Sequence, residues 1–144
     1  MAEVLNFQIQ NLKDLQKISD FLLNHIQSGT IFLLNGQMSS GKTTLISTLL
    51  LNLKIQNVSS PTYAIHQVYD YDKIKIHHLD LHRMENEDDI ESSGIWDLFI
   101  NSEDIFFIEW ADKIDINFLP LYFKIIKIDI DKKNENQRHI KLQF

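Results

Sequence analysis

The sequence predicts an α/β fold: a three-layer domain with a mixed, mostly parallel central sheet and antiparallel strands at its fringe. Three observations carry this. Thr30–Leu34 and Ile105–Ile108 are short, continuous apolar runs of the kind that form strands buried on both faces. Segments with apolar residues at helical spacing alternate with them. A glycine-bearing loop lies between the first apolar run and a helix, and strand, helix, buried strand, loop, helix is the order of a sheet covered on both faces.

The elements follow in order. Val4–Ile9 alternates apolar and polar residues, as a half-buried strand does. Asn11 stands at a helix N-cap, where its side-chain oxygen can meet free backbone N–H groups. Leu12, Leu15, Ile18, Leu22 and Ile26 continue at helical spacing, and Gly29 ends the helix. After the buried strand Thr30–Leu34 comes the loop Asn35–Thr44, then a helix over Leu45–Leu53. Val58–Thr62 is a loop containing Pro61. Tyr63–Tyr71 and Lys73–Asp80 read as two strands joined near Asp70-Tyr71-Asp72. Arg83–Glu91 is acidic and predicted helical, and Gly94–Ile100 is an amphipathic turn or helix. Ile105–Ile108 ends at Glu109-Trp110, and Leu121–Ile130 and His139–Phe144 are late strands, antiparallel across the turn Asp131–Gln137.

At 144 residues the whole chain, 1–144, reads as one domain. A composition of 44% hydrophobic and 24% charged residues excludes a disordered or collagen-like chain. Fully apolar runs such as Ile31–Leu34 reach only about four residues, against the ~20 needed to span a bilayer, so no membrane role is expected. Met1–Asn6 has neither a basic residue nor an apolar stretch, so no signal peptide is expected. Cysteine is absent, which excludes disulfides, thiolate zinc sites and a cysteine nucleophile. The net charge is −6, from 14 Lys and Arg against 20 Asp and Glu, and the only arginines are Arg83 and Arg138. Proteins that grip nucleic acid by its phosphates present a basic face. Direct strong binding to DNA or RNA is therefore not expected.

The strongest chemical signal is Gly36-x-x-x-x-Gly41-Lys42-Thr43, which matches the phosphate-loop pattern in full, with an apolar strand before it and a helix after it. Its glycines let the backbone curl so that successive N–H groups point at phosphate oxygens. The helix N-terminus adds its positive end. Lys42 supplies a mobile positive charge, and the Thr43 hydroxyl suits Mg²⁺. The expected phosphate binders are thus Gly36, Gln37, Met38, Ser39, Ser40, Gly41, Lys42, Thr43 and Thr44, in a P-loop NTPase-like domain binding a magnesium nucleotide.

Hydrolysis needs a second metal anchor and a group to orient water. Asp80 and Glu109 both end predicted strands, and ligands of open α/β sheets bind beyond the carboxyl ends of the parallel strands. Either acid can hold Mg²⁺ or position water. A hydroxyl of Ser59-Ser60-Pro61-Thr62 can reach a γ-phosphate, although chemistry alone favours an ordinary turn there. His78, Asp80 and His82 alternate, which permits a transition-metal site; the simpler expectation is that Asp80 serves Mg²⁺ and the histidines are incidental. Trp110 can stack on a base, fill a partner's pocket or sit in the core.

Together Gly36–Thr44, Ser60-Pro61-Thr62-Tyr63, His78-Leu79-Asp80-Leu81-His82-Arg83 and Ile108-Glu109-Trp110 resemble, in order and spacing, the TsaE family of YjeE-type ATPases. The resemblance implies a small bacterial cytoplasmic ATPase that takes part in forming N6-threonylcarbamoyladenosine (t6A, at position 37) on tRNAs reading codons that begin with A. It implies that this ATPase does not transfer the group itself but binds a TsaB–TsaD transferase complex and resets it through ATP binding and hydrolysis. The tRNA would then be met only through the partner, in keeping with the acidic charge balance. Carried onto this chain, the resemblance puts Mg²⁺ on Thr43 and Glu109 with Asp80 nearby, and a switch-like loop on Ser60–Thr62, with Thr62 as a γ-phosphate sensor. A nucleotide contact from the start of the first helix would fall near Asn11. The chain departs from the family pattern at Ser39, where glycine is usual, and at His82, where tyrosine precedes the arginine. Ala111 replaces the proline after Trp110, and Asn11 replaces a threonine.

Three other readings compete. A small-molecule or nucleoside monophosphate kinase would clamp its second substrate with several arginines, and this chain has two. A GTPase would show an N-K-x-D guanine reader and a D-x-x-G switch, and neither occurs. A nucleotide-gated binding module with negligible hydrolysis would use the same loop and metal ligands.

Overall fold

The computed structural model describes residues 3–55 and 66–144. Strand β1 (Val4–Ile9) leads through helix α1 (Leu12–Leu23) to β2 (Thr30–Gly36) and α2 (Lys42–Asn52). A hairpin of β3 (His66–Tyr71) and β4 (Ile74–Asp80) follows, then α3 (Glu87–Ser92) and a 3₁₀ segment, Ile95–Ile100. After β5 (Ile105–Glu109) come two short 3₁₀ turns, and β6 (Lys124–Lys132) and β7 (Arg138–Gln143) close the chain. The strands form one seven-stranded sheet in the order β1-β7-β6-β2-β5-β4-β3. The four central strands β6, β2, β5 and β4 are parallel, while β3 on one side and β7 and β1 on the other pair antiparallel. The expected mixed sheet is present, with its parallel part confined to the centre.

Strand alternation sorts the core into two clusters, which makes the architecture three-layered. Phe32, Leu34, Ile76, Ile105, Phe107, Ile126 and Ile128 pack with Ile18 and Leu22 of α1 and Leu45, Ile46 and Leu49 of α2. Ile31, Leu33, Leu79, Phe106 and Ile108 point the other way, toward Ile90 of α3 and Ile95 and Phe99 of the 3₁₀ segment. The rings of Phe32 and Phe107 stack 4.7 Å apart between neighbouring parallel strands. This alternation aims the site residues. His78 and Asp80 share a face with Ile76, and Glu109 shares one with Ile105 and Phe107, so all three lie on the α2 side of the sheet.

Element ends differ from the sequence reading where side chains capture backbone groups. The first helix stops at Leu23, with Asn24 as its C-cap, although Ile26 still packs on the core. The second helix starts at Lys42, inside the loop, because Gly41 at φ 113° supplies the turn into it. The acidic helix starts at Glu87 and not at Arg83, since Asn86 caps it by accepting from Asp89 N at 2.9 Å. The preceding backbone is held by tertiary bonds: Lys113 Nζ donates to His82 O at 2.7 Å and to Met84 O at 2.6 Å. The late strand begins at Lys124 and leaves Leu121 fully exposed. The loop over Val58–Thr62 and the strand start at Tyr63 lie outside the described residues. Among the described residues no helix is long and apolar enough to cross a membrane.

On the α3 side, a polar chain ties the edge of the sheet to its centre. His66 Nε2 and His77 Nδ1 are 2.9 Å apart, and His77 Nε2 donates to Asp104 Oδ2 at 2.8 Å. Asp104 Oδ1 also accepts from Lys75 N at 3.1 Å. Burial, reinforced by the neighbouring His77 and His78, pushes His66 from 6.5 down to about 4. The folded protein thus resists a proton that the unfolded chain takes up below 6.5. Stability from this group is complete above pH 6.5 and is lost progressively as pH falls toward 4. Thermal melts across that interval should show a steeper acid loss of Tm for the wild type than for His66→Gln, and parallel curves would refute the assignment.

Candidate nucleotide-binding site

The parallel strands deliver three backbone ends to one edge of the sheet. Leu34 and Asp80 both flank Glu109 in register, and Gly36 lies beside Ile130 of β6. At Gly36 a Cβ would lie 2.5 Å from Ile130 O and 2.6 Å from Ser40 Oγ, so only glycine fits where the loop leaves the sheet. Ser39 adopts φ 62° with a Cβ, a left-handed conformation that costs a non-glycine residue about 1–2 kcal/mol. Ser40 N donates to Gln37 O at 3.1 Å, which closes the loop on itself. Gln37 anchors it to the end of β6, donating to Asp131 Oδ1 at 2.7 Å and accepting from Lys132 N at 3.1 Å. Met38 is exposed at the loop's tip.

Lys42 reaches back across the loop. Its Nζ donates to Gly36 O at 2.7 Å, Gln37 O at 2.9 Å and Ser40 Oγ at 3.4 Å. The ammonium also lies 4.5 Å from the centre of the Trp110 ring. Burial pulls the Lys42 pKa below its ordinary value, and Glu109, Asp80 and Asp112 pull it back up.

Thr43 and Glu109 meet directly. Thr43 Oγ1 donates to Glu109 Oε1 at 2.8 Å, and His78 Nε2 donates to the other oxygen, Oε2, at 2.6 Å. Glu109 is 2% exposed and His78 1%. A buried carboxylate is tolerated because both oxygens are hydrogen-bonded. Asp80 lies nearer the surface, where its Oδ1 accepts from His82 N at 3.0 Å. Oxygen donors from a hydroxyl and a carboxylate side by side, with a second carboxylate on the same wall, are a donor set suited to a hard divalent cation such as Mg²⁺. Trp110, at φ 57°, turns the chain after β5, and its ring lies 5.3 Å from that of His82.

Two cavities adjoin the loop. One, of about 400 Å³, is walled by Met38–Thr44, Asp80, His82, Glu109 and Trp110. The other, of about 310 Å³, lies against Ser39–Gly41 and Thr44 on the far side, with Asn11, Leu12, Leu15, Ile130, Arg138 and Ile140 around it. The fold thus brings Met38–Thr44, Asp80, Glu109 and Trp110 around one cavity, with Gly36 and Gln37 at the base of the loop and Asn11 at the second cavity, while the expected switch-like loop Ser60–Thr62 lies outside the described residues. Asn11 caps α1 as expected, its Oδ1 accepting from Asp14 N at 3.0 Å, and it borders the second cavity. Trp110 is half-buried: it packs against the α3-side core and lines the first cavity, where its ring faces Lys42.

The expectation that the histidines are incidental is corrected: His78 is locked onto Glu109, and its place two residues before Asp80 on the same face was the available signal. His82 lies beyond the strand, and among the described residues no group of three or more acidic, histidine or cysteine side chains is placed to hold a transition metal. Sequence reasoning also missed Arg138, which donates to Ser40 O at 2.9 Å and to Ser39 O at 3.4 Å from nearly a hundred residues away. No local pattern announces such a contact.

Replacing His78 by alanine strands a buried Glu109 oxygen. His78→Ala should cost about 1–3 kcal/mol, read in denaturant melts. An unchanged midpoint would show that the bond contributes nothing.

The family model described as threonylcarbamoyl adenosine biosynthesis protein TsaE matches residues 9–140. Relatives called tRNA threonylcarbamoyladenosine biosynthesis protein TsaE include one from Borreliella burgdorferi, 38% identical over 104 residues, covering 68% of this chain and 75% of that protein. One from Haemophilus influenzae is 37% identical over 68% of this chain and 63% of its own length. One from Aquifex aeolicus is 28% identical over 93% of this chain and 92% of its own. The crystal structure of Bacillus subtilis YdiB superposes with a TM-score of 0.75, covering 99% of this chain and 86% of that one at 21% identity, and so shares the fold. With the loop, the strand-end acids and the sheet order all in place, the match across residues 9–140 makes this chain a member of the TsaE family.

Proposed function

We propose that this chain is the Mg²⁺-dependent ATPase of tRNA threonylcarbamoyladenosine biosynthesis, acting in the bacterial cytoplasm on a TsaB–TsaD-like transferase complex that itself holds the tRNA. The observation that supports it most is the Thr43–Glu109 contact at 2.8 Å beside a complete phosphate loop. The role in tRNA modification rests on the names of the relatives.

The loop amides and the start of α2 bind the phosphate chain of ATP. Lys42 exchanges its Gly36 and Gln37 carbonyl partners for phosphate oxygens, a trade of neutral acceptors for charged ones. Thr43 and Glu109 hold Mg²⁺, with Asp80 beside them, and the ion supplies charge neutralisation at the phosphates. His78 keeps the Glu109 carboxylate turned toward Thr43. Asp80 or Glu109 orients water, and Thr62 senses the γ-phosphate. The apolar side chains around Asn11, among them Leu12, Leu15 and Ile140, suit a nucleobase.

Both Glu109 oxygens are already engaged, by Thr43 and by His78. That favours slow turnover by the isolated chain and keeps a nucleotide-gated module, completed by its partner, as the second reading. The kinase reading loses support because Arg138 is committed to loop carbonyls and does not form an anion clamp.

Lys42→Ala should weaken ATP binding by roughly 100-fold or more, from the loss of charged hydrogen bonds of about 1.5–3 kcal/mol each. Glu109→Ala should weaken Mg²⁺ dependence and hydrolysis; near-normal turnover by both variants would remove the assignment. Pull-down with TsaB and TsaD should show association that changes with ATP. Phosphorylation of a small metabolite, with no such association, would favour a kinase.

A further inference from the structure

Within Gly36–Gly41, Ser39 is the non-glycine residue held at positive φ. Something must hold it there. The peptide unit is planar and trans, so its C=O and N–H point in opposite directions. Arg138 Nε and Nη2 grip the carbonyls of Ser40 and Ser39. The N–H groups of those same two peptides belong to Gly41 and Ser40. Gripping the carbonyls from the β7 side therefore turns the Gly41 amide to the opposite side, while the Ser40 N–H is kept inside the loop by Gln37 O at 3.1 Å. The guanidinium is itself anchored, since Nη1 donates to Asn134 O at 2.7 Å and Gln137 O at 3.1 Å in the β6–β7 turn. A planar fork can serve loop and turn together, whereas a lysine ammonium is a single point.

We propose that Arg138 is the positioning residue of the phosphate loop: it holds Ser39 in its left-handed conformation and so presets the loop backbone, the Gly41 amide above all, for a phosphate-bearing nucleotide. This rests on the nucleotide reading above. It explains how the chain manages with a Cβ at position 39. Arg138 also borders the cavity assigned above to the nucleobase, but the action proposed here runs through the loop carbonyls it holds.

The test is a double-mutant cycle between Arg138 and Ser39, read as the calorimetric Kd for ADP with Mg²⁺ and as the Tm of the nucleotide-free protein. Arg138→Ala should weaken ADP binding roughly tenfold, and Arg138→Lys nearly as much. In the Ser39→Gly background, where the left-handed conformation is no longer strained, the same Arg138 change should cost less than about threefold. Equal losses in both backgrounds would overturn the inference, as expected of an arginine that touches the nucleotide directly. So would Arg138→Lys at wild-type affinity, or a fall in Tm with Kd unchanged. If Arg138→Ala does not fold, Arg138→Lys completes the cycle. A wild-type chain that binds no ADP would overturn the nucleotide reading, and this inference with it.

Discussion

Parallel register at the centre of the sheet is the constraint on which the site depends. β4, β5 and β2 run the same way and end at the same level, so Asp80, Glu109 and the start of the loop arrive together. A strand running the other way would deliver its N-terminal end there. Alternation along β4 and β5 then decides which side of the sheet these acids face, and that is the side on which α2 begins. A slip of one residue in β5 would bury Glu109 against α3 and point Ile108 at Thr43. The apolar packing of Phe32 on Phe107 and of Ile105 against the α2 side fixes that register, so the core sets the chemistry of the rim.

The site holds groups that would be costly if left alone. The Glu109 carboxyl group is buried, and the lysine beside it is also buried. Lys42 is made tolerable by the field of Glu109 and by its hydrogen bonds to the loop carbonyls, and the acid by hydrogen bonds from Thr43 and His78. Two non-glycine residues beside the phosphate cavity, Ser39 and Trp110, sit at positive φ. Strain of this kind persists only where surrounding contacts over-determine it. At Ser39, Gln37 and Arg138 provide those contacts from the β6 and β7 side.

Much of this was legible in the chain itself, because the informative features are local. The phosphate loop is contiguous, and its flanks show a buried strand and a helix. Asp80 and Glu109 announce themselves as acids ending apolar runs. What could not be read depends on contacts between distant segments. Arg138 meets Ser40 from the far end of the chain, and Lys113 holds the backbone at His82 and at Met84, the latter within the stretch that the sequence makes helical. His78 was partly legible: its alternation with Asp80 was visible, but its partner on β5 depended on strand order, which a single sequence does not state.

The central claim is that Thr43 and Glu109 complete a magnesium site for a nucleotide held by the loop and Lys42. Isothermal titration of the purified chain with ATP, once with Mg²⁺ and once with the metal chelated, tests it most directly. The account predicts clear binding that is markedly tighter with Mg²⁺. The same affinity in both conditions, or no heat in either, would contradict it.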